Sequence, residues 1–296
     1  MMALLEVARQ SREPVSPPLR VVDRRSWLAA CALAAGGVLI PRWPPLAAAA
    51  DPGEADTSDE ARQEAIRVLP LDKLTAESRR KVMAVCERPS MYRRLPQKTV
   101  DCDPDLHRFL VRNPEVIVNI WQLMGVSNMT AQRTGAYLWA GNDGTGTVCD
   151  VELIYGTEDL HVLYGDGFYE GSLLKRKITG RCILILQSGY AQDPARRWLV
   201  GNRLDIFLQI DNAGADMIAR TLAPWVGKVA DANFSESCKF TGRISQTAEQ
   251  NGPGMQRLAD KLTNVEPEVR EQFARVSAAV QQRAAVRDAG GDMRQG

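Results

Sequence analysis

Arg181-Cys182-Ile183-Leu184-Ile185-Leu186-Gln187-Ser188-Gly189-Tyr190 is followed, after Asp193-Pro194, by Trp198-Leu199-Val200-Gly201-Asn202-Arg203-Leu204-Asp205-Ile206-Phe207-Leu208-Gln209-Ile210. Two extended runs joined by a hairpin-length turn must pair antiparallel, because a parallel return would need a crossover of a dozen residues or more. The run from Cys182 to Leu186 is apolar on both parities, so both faces of this strand need cover. The helices before Pro89 or after Met255 are the available material. Directly after Asp211-Asn212 the period changes from two to 3.6. Ile218, Leu222, Trp225, Val226, Val229, Phe240 and Ile244 then give one apolar helix face over residues 213–249. Pro224 sits inside that helix and predicts a kink or a break.

Upstream, the same alternation recurs in residues 129–134, 137–140, 147–155 and 160–170. These runs are separated by Gly135, by Asn142-Asp143-Gly144 and by Glu158-Asp159. With the two runs above they form six antiparallel strands in a meander. Gly165 and Gly167 inside a strand predict a bulge or sharp bend. Further upstream, residues 97–102 read as a short strand. Asp103-Pro104 and then Asn113-Pro114 repeat one helix-start signal, an N-cap followed by proline at the first helical position. Residues 71–87 read as a helix that ends near Pro89. Asn251-Gly252-Pro253-Gly254 stops the long helix, and Val269, Phe273, Val276 and Val280 mark one or two more. The expected fold is α+β: an antiparallel meander sheet wrapped around a long C-terminal helix, with extra flanking helices. The expected divisions are a signal peptide (1–50), a flexible leader (51–60), an N-terminal helical extension (61–96), the α+β domain (97–250), a C-terminal helical extension (251–287) and a disordered tail (288–296).

The N-terminus carries its own message. Arg24-Arg25 precedes an apolar run over residues 27–40, and Ala47 to Ala50 follow before Asp51. A basic start, a short apolar core and a small-residue end make a cleavable export signal, since about fourteen apolar residues fall short of the ~20 that span a bilayer. The arginine pair followed by Trp27-Leu28 resembles the twin-arginine translocation consensus, with tryptophan where phenylalanine is usual. That resemblance implies a periplasmic or secreted protein without a stable membrane span after processing. The 37 lysines and arginines nearly cancel the 36 aspartates and glutamates, which speaks against a nucleic-acid partner. The five cysteines after Asp51 are odd in number and have no C-x-x-C spacing, so they read as small buried hydrophobes.

The order strand, two short helices, six antiparallel strands, long helix resembles the helix-grip fold of the START-related lipid-transfer and polyketide-cyclase-like superfamily. The resemblance covers about half of the chain and rests on element order, on Asp103-Pro104, on Asn113-Pro114 and on the final helix. It implies a cavity between sheet and helix for a lipid, isoprenoid or aromatic metabolite. Tyr155, Tyr164 and Trp225 are the aromatic side chains expected to line that cavity, and Arg203 the residue expected to hold a polar head group. Catalytic signatures are absent: there is no nucleophile elbow, no phosphate loop and no metal-ligand spacing around the two histidines, so no cofactor and no metal are expected. Glu152, His161 and Asp205 are the residues an enzyme of cyclase or dehydratase type would use if they point inward together. His107 is expected at the surface or as a cap. A third reading is an envelope interaction protein whose core is filled by its own side chains.

Overall fold

The computed structural model describes residues 54–171, 177–211 and 215–292, and for 215–226 and 290–292 the helical backbone alone. The expected export signal, the start of the leader and the last residues of the tail lie outside the described residues. The fold is α+β. Helices α1 (Asp59–Val68) and α2 (Ala76–Cys86) come first, followed by strands β1 (Met91–Arg94) and β2 (Lys98–Asp101). Helices α3 (Pro104–Arg112) and α4 (Pro114–Leu123) precede β3 (Thr130–Gly135), β4 (Leu138–Asn142), β5 (Thr147–Gly156), β6 (Leu160–Tyr169), β7 (Ile178–Gln192) and β8 (Trp198–Ile210). Three helices close the chain: α5 (Ala215–Gln250), α6 (Gly252–Lys261) and α7 (Pro267–Asp292).

The strands form one eight-stranded sheet in the order β1-β8-β7-β6-β5-β4-β3, with β2 also paired to β8. Every ladder is antiparallel, and β3 to β8 follow one another as the meander expected from their turns. The register shifts between Leu153 and Tyr155 on β5 and between Arg133 and Gly135 on β3, and not at Gly165 or Gly167. Gly167 instead permits close backbone approach, since a Cβ there would sit 2.3 Å from the Val148 carbonyl oxygen.

Strand parity sorts the side chains. Leu184 and Leu186 of β7 and Leu204 and Ile206 of β8 join Ala230, Phe234 and Cys238 of α5 in one apolar cluster. Ile183, Ile185 and Phe207 point the other way, into a cluster with Ala61, Ala65, Val82 and Val85 of α1 and α2. The doubly apolar strand is thus covered on both faces, and the cover on the second face comes from the helices before Pro89. A third cluster joins Leu106, Phe109 and Ile117 of α3 and α4 to Ile244 of α5, Met255 of α6 and Phe273 of α7.

Several boundaries differ from the sequence reading, each for a local reason. Ser58 accepts from the Ala61 amide and starts α1 within the segment read as a leader, while Thr75 caps a separate α2. Asp56, also in that segment, exchanges backbone hydrogen bonds of 2.9 and 2.7 Å with Arg94. Strand β1 lies in the stretch read as helical. It has only four residues, two of them arginines, and its extended form comes from pairing with β8 at Leu208 to Asp205. Asp103 caps α3 as expected, its Oδ1 accepting from the Asp105 and Leu106 amides. Asn113 makes no such bond to α4: its Nδ2 donates to the Phe109 carbonyl at 2.8 Å, closing α3, and its Oδ1 accepts from Arg133. Helix α5 runs as one element through Pro224, and α7 continues to Asp292, into the stretch read as a tail. Among the described residues, no helix is long and apolar enough to cross a membrane.

Candidate functional site

Where β7 and β8 meet α3 and α5, apolar parity is interrupted by polar side chains. Ser188 follows Leu186 on one face of β7, and Asn202 precedes Leu204 on the matching face of β8. Ser188 stands opposite Asn202 in the ladder, and Oγ of Ser188 donates to Oδ1 of Asn202 at 2.6 Å. His107, one turn into α3, lies with its Nε2 3.0 Å from the same Oδ1. The hydroxyl of Tyr190 donates to the Glu158 carbonyl at 3.0 Å and lies 3.3 Å from Nδ1 of His107. The ring is 3% exposed, and burial pushes its pKa down to about 4 against the opposing hydrogen bond to Asn202. A neutral ring that donates from Nε2 to Asn202 leaves Nδ1 unprotonated, where it competes with the Glu158 carbonyl for the single Tyr190 hydroxyl proton.

This cluster borders a cavity of about 30 Å³ closed by Leu110, Leu186, Phe234 and Thr241. A water occupies roughly 10–15 Å³ on that measure, so the space suits one or two waters and not an organic ligand. Val151 and Cys182 pack against the α5-facing cluster and stay partly exposed, whereas Leu153 and Leu184 beside them are buried.

The residues singled out from sequence fall largely on the opposite face. Asp205 is fully buried beneath α1, its Oδ1 accepting from the Tyr92 hydroxyl at 2.6 Å and from Nε of Arg94 at 2.8 Å. Arg94 also binds Glu64 at 2.6 Å, and Glu64 reaches Arg203 at 3.2 Å. Burial raises the Asp205 pKa, with Arg94 and Tyr92 opposing, and burial beside Asp205 raises the Tyr92 phenol. For Glu64, burial is outweighed by the Arg94 hydrogen bond and the Arg203 and Arg94 charges, so its pKa is lowered. Glu152 pairs with Lys81 of α2 at 2.7 Å, and that ammonium lies 5.5 Å from the Tyr164 ring centroid. Tyr155 packs in the same cluster, and the Tyr164 hydroxyl donates to Asp166 at 2.9 Å. The side chain of Trp225 lies outside the described residues.

His161 stands apart from both carboxylates. It is fully buried on the α5-facing parity of β6, and its Nε2 accepts from Nε of Arg112 at 2.8 Å. The sheet lies between it and the Glu152 and Asp205 side chains, so the three acid–base candidates do not converge. His107, expected at the surface or as a cap, is instead buried against Asn202, and Asn202 and Ser188 were not singled out from sequence. Their one signal there is parity: polar residues at 188 and 202 on strand faces that otherwise alternate into Leu186 and Leu204. The sequence pattern also passed over Glu115. It is 1% exposed and accepts from Arg133 at 2.8 Å and from the Trp139 indole at 2.7 Å, tying α4 to β3 and β4. Cys86, Cys102, Cys149, Cys182 and Cys238 form no disulfide among the described residues. Among the described residues, no three His, Cys, Asp or Glu side chains form a metal-holding group.

No protein-family model matches the chain, and a search of curated proteins finds no match either.

Proposed function

We propose that the chain is an exported, non-catalytic binding protein that holds a hydrophobic small molecule between its sheet and α5, the helix lying in the curve of the sheet. The observation that carries this reading is the partial exposure of Val151 and Cys182 on the sheet face that meets α5, where a completed core would close them. The element order adds support through its resemblance to the helix-grip superfamily, in which that space is a ligand cavity. The 30 Å³ cavity beside His107 bounds the site: the ligand lies toward the N-terminal end of α5, over β5 to β7. A non-catalytic role fits the separation of Glu152 and Asp205 from His161 across the sheet, because acid–base catalysis needs its groups within reach of one substrate. Removal of residues 1–50 by an export pathway belongs to the same reading, and N-terminal sequencing of the mature protein should begin near Asp51.

The small cavity favours a second reading, a filled-core interaction protein, because a specific small-molecule site is expected to measure roughly 300–1,000 Å³. Titration with a fluorescent fatty acid separates the two. Saturable binding that Cys182→Trp abolishes without changing the circular dichroism supports the ligand site. Absence of saturable binding in both proteins supports the filled core.

A further inference from the structure

A second concavity lies outside the sheet, between α3 and α7. It measures about 310 Å³, at the small end of the range for organic ligands. Phe109, Val276 and Ala279 give it apolar walls, and Arg108, Arg112 and Arg283 are among its lining residues. Their charge balance is unequal. Arg108 pairs with Asp105 and, at 3.2 Å, with Glu158. Arg283 holds Asp103 through two bonds of 2.8 Å and reaches Asp105 at 3.2 Å. Arg112 has no carboxylate partner among the described residues. Its Nε donates to His161 and its Nη2 to the Thr157 carbonyl at 2.6 Å, both neutral acceptors, which leaves Nη1 without a partner among the described residues.

Arg112 is therefore held by two hydrogen bonds and has no ion-pair partner among the described residues, at the edge of an amphiphilic groove. A planar guanidinium held in this way is suited to a carboxylate, which needs two parallel donors and one opposing charge. Asp105 on the same wall disfavours a ligand with a second negative charge, so a monoanion fits better than a phosphate dianion. We propose that the groove between α3 and α7 binds a small amphiphilic carboxylate, its anion on Arg112 and its apolar body against Phe109, Val276 and Ala279. This site is separate from the one between sheet and α5 and stands or falls independently of it.

The test uses octanoate as the probe, with octanol as the uncharged control, followed by amide chemical shifts of the labelled mature protein. Octanoate should shift resonances within residues 105–113 and 272–283, and octanol should bind at least tenfold more weakly. Arg112→Gln should weaken octanoate tenfold or more. Ala279→Trp, which fills the groove and leaves every charge in place, should abolish binding and decides the matter if Arg112→Gln does not fold. Octanoate that fails to bind, that binds equally in Ala279→Trp, or that shifts only strand resonances overturns the proposal.

Discussion

His107 is a buried base whose desolvation disfavours a second proton, and this gives it a measurable effect on stability. Its folded pKa of about 4 lies below the ordinary 6.5, so as pH falls the unfolded chain takes up the proton first. Its contribution is therefore complete above pH 6.5 and is lost as pH falls through 4, for a total of about 3 kcal/mol. Asp205 and Glu115, raised by burial, act in the opposite sense, so the difference between wild type and His107→Gln carries the test. Urea unfolding from pH 7 to 5 should show wild-type stability falling more steeply than that of His107→Gln; equal slopes would contradict the assignment. On the other face, Arg94→Met should cost roughly 3–5 kcal/mol by leaving the Asp205 carboxylate buried beside Tyr92 without its cation. Thermal or urea denaturation measures that loss directly. At this scale the sequence was legible where a residue acts locally, as in the Asp103 cap. It was not legible where function depends on which way a strand faces. Tyr155, Tyr164 and Arg203 look like ligand contacts by type, and parity turns them toward α1 and α2.

Elements were readable in proportion to the length of their period. Strands β5 to β8 and helix α5 declared themselves through alternation, hairpin turns and a change of period, and their pairing followed from short connections. Strand β1 did not, because four residues carry too little pattern and the strand exists through β8. The need for cover on both faces of Ile183 to Leu186 was legible, but the choice of α1 and α2 as the second cover was not. Helix α7 is built into the core. Phe273 is fully buried and stacks on Phe109 at a centroid distance of 5.8 Å. Phe273→Ala should destabilise the protein by about 3–5 kcal/mol, whereas a mere appendage would lose almost nothing in denaturant unfolding. Gly167→Ala should lower the melting temperature, at a cost of roughly 1–3 kcal/mol, because its Cβ would strike the β5 backbone.

At the scale of the molecule, one sheet separates two apolar clusters, and a third joins α3 and α4 to the C-terminal helices. This layering explains why carboxylates and histidine that alternate along neighbouring strands cannot form one acid–base centre: the sheet itself divides them. Among the described residues it leaves the two places proposed for small molecules, the sheet face at Val151 and Cys182 and the groove at Arg112. The first carries the main claim of a non-catalytic carrier. Native mass spectrometry of the mature protein, purified from the cells that make it without added detergent, tests that claim most directly. The account predicts a population heavier than the polypeptide by one apolar small molecule, released by organic solvent and absent from Cys182→Trp. A single species at the polypeptide mass, with the side chains of 215–226 packed down onto Val151 and Cys182 in an experimental structure, would contradict it.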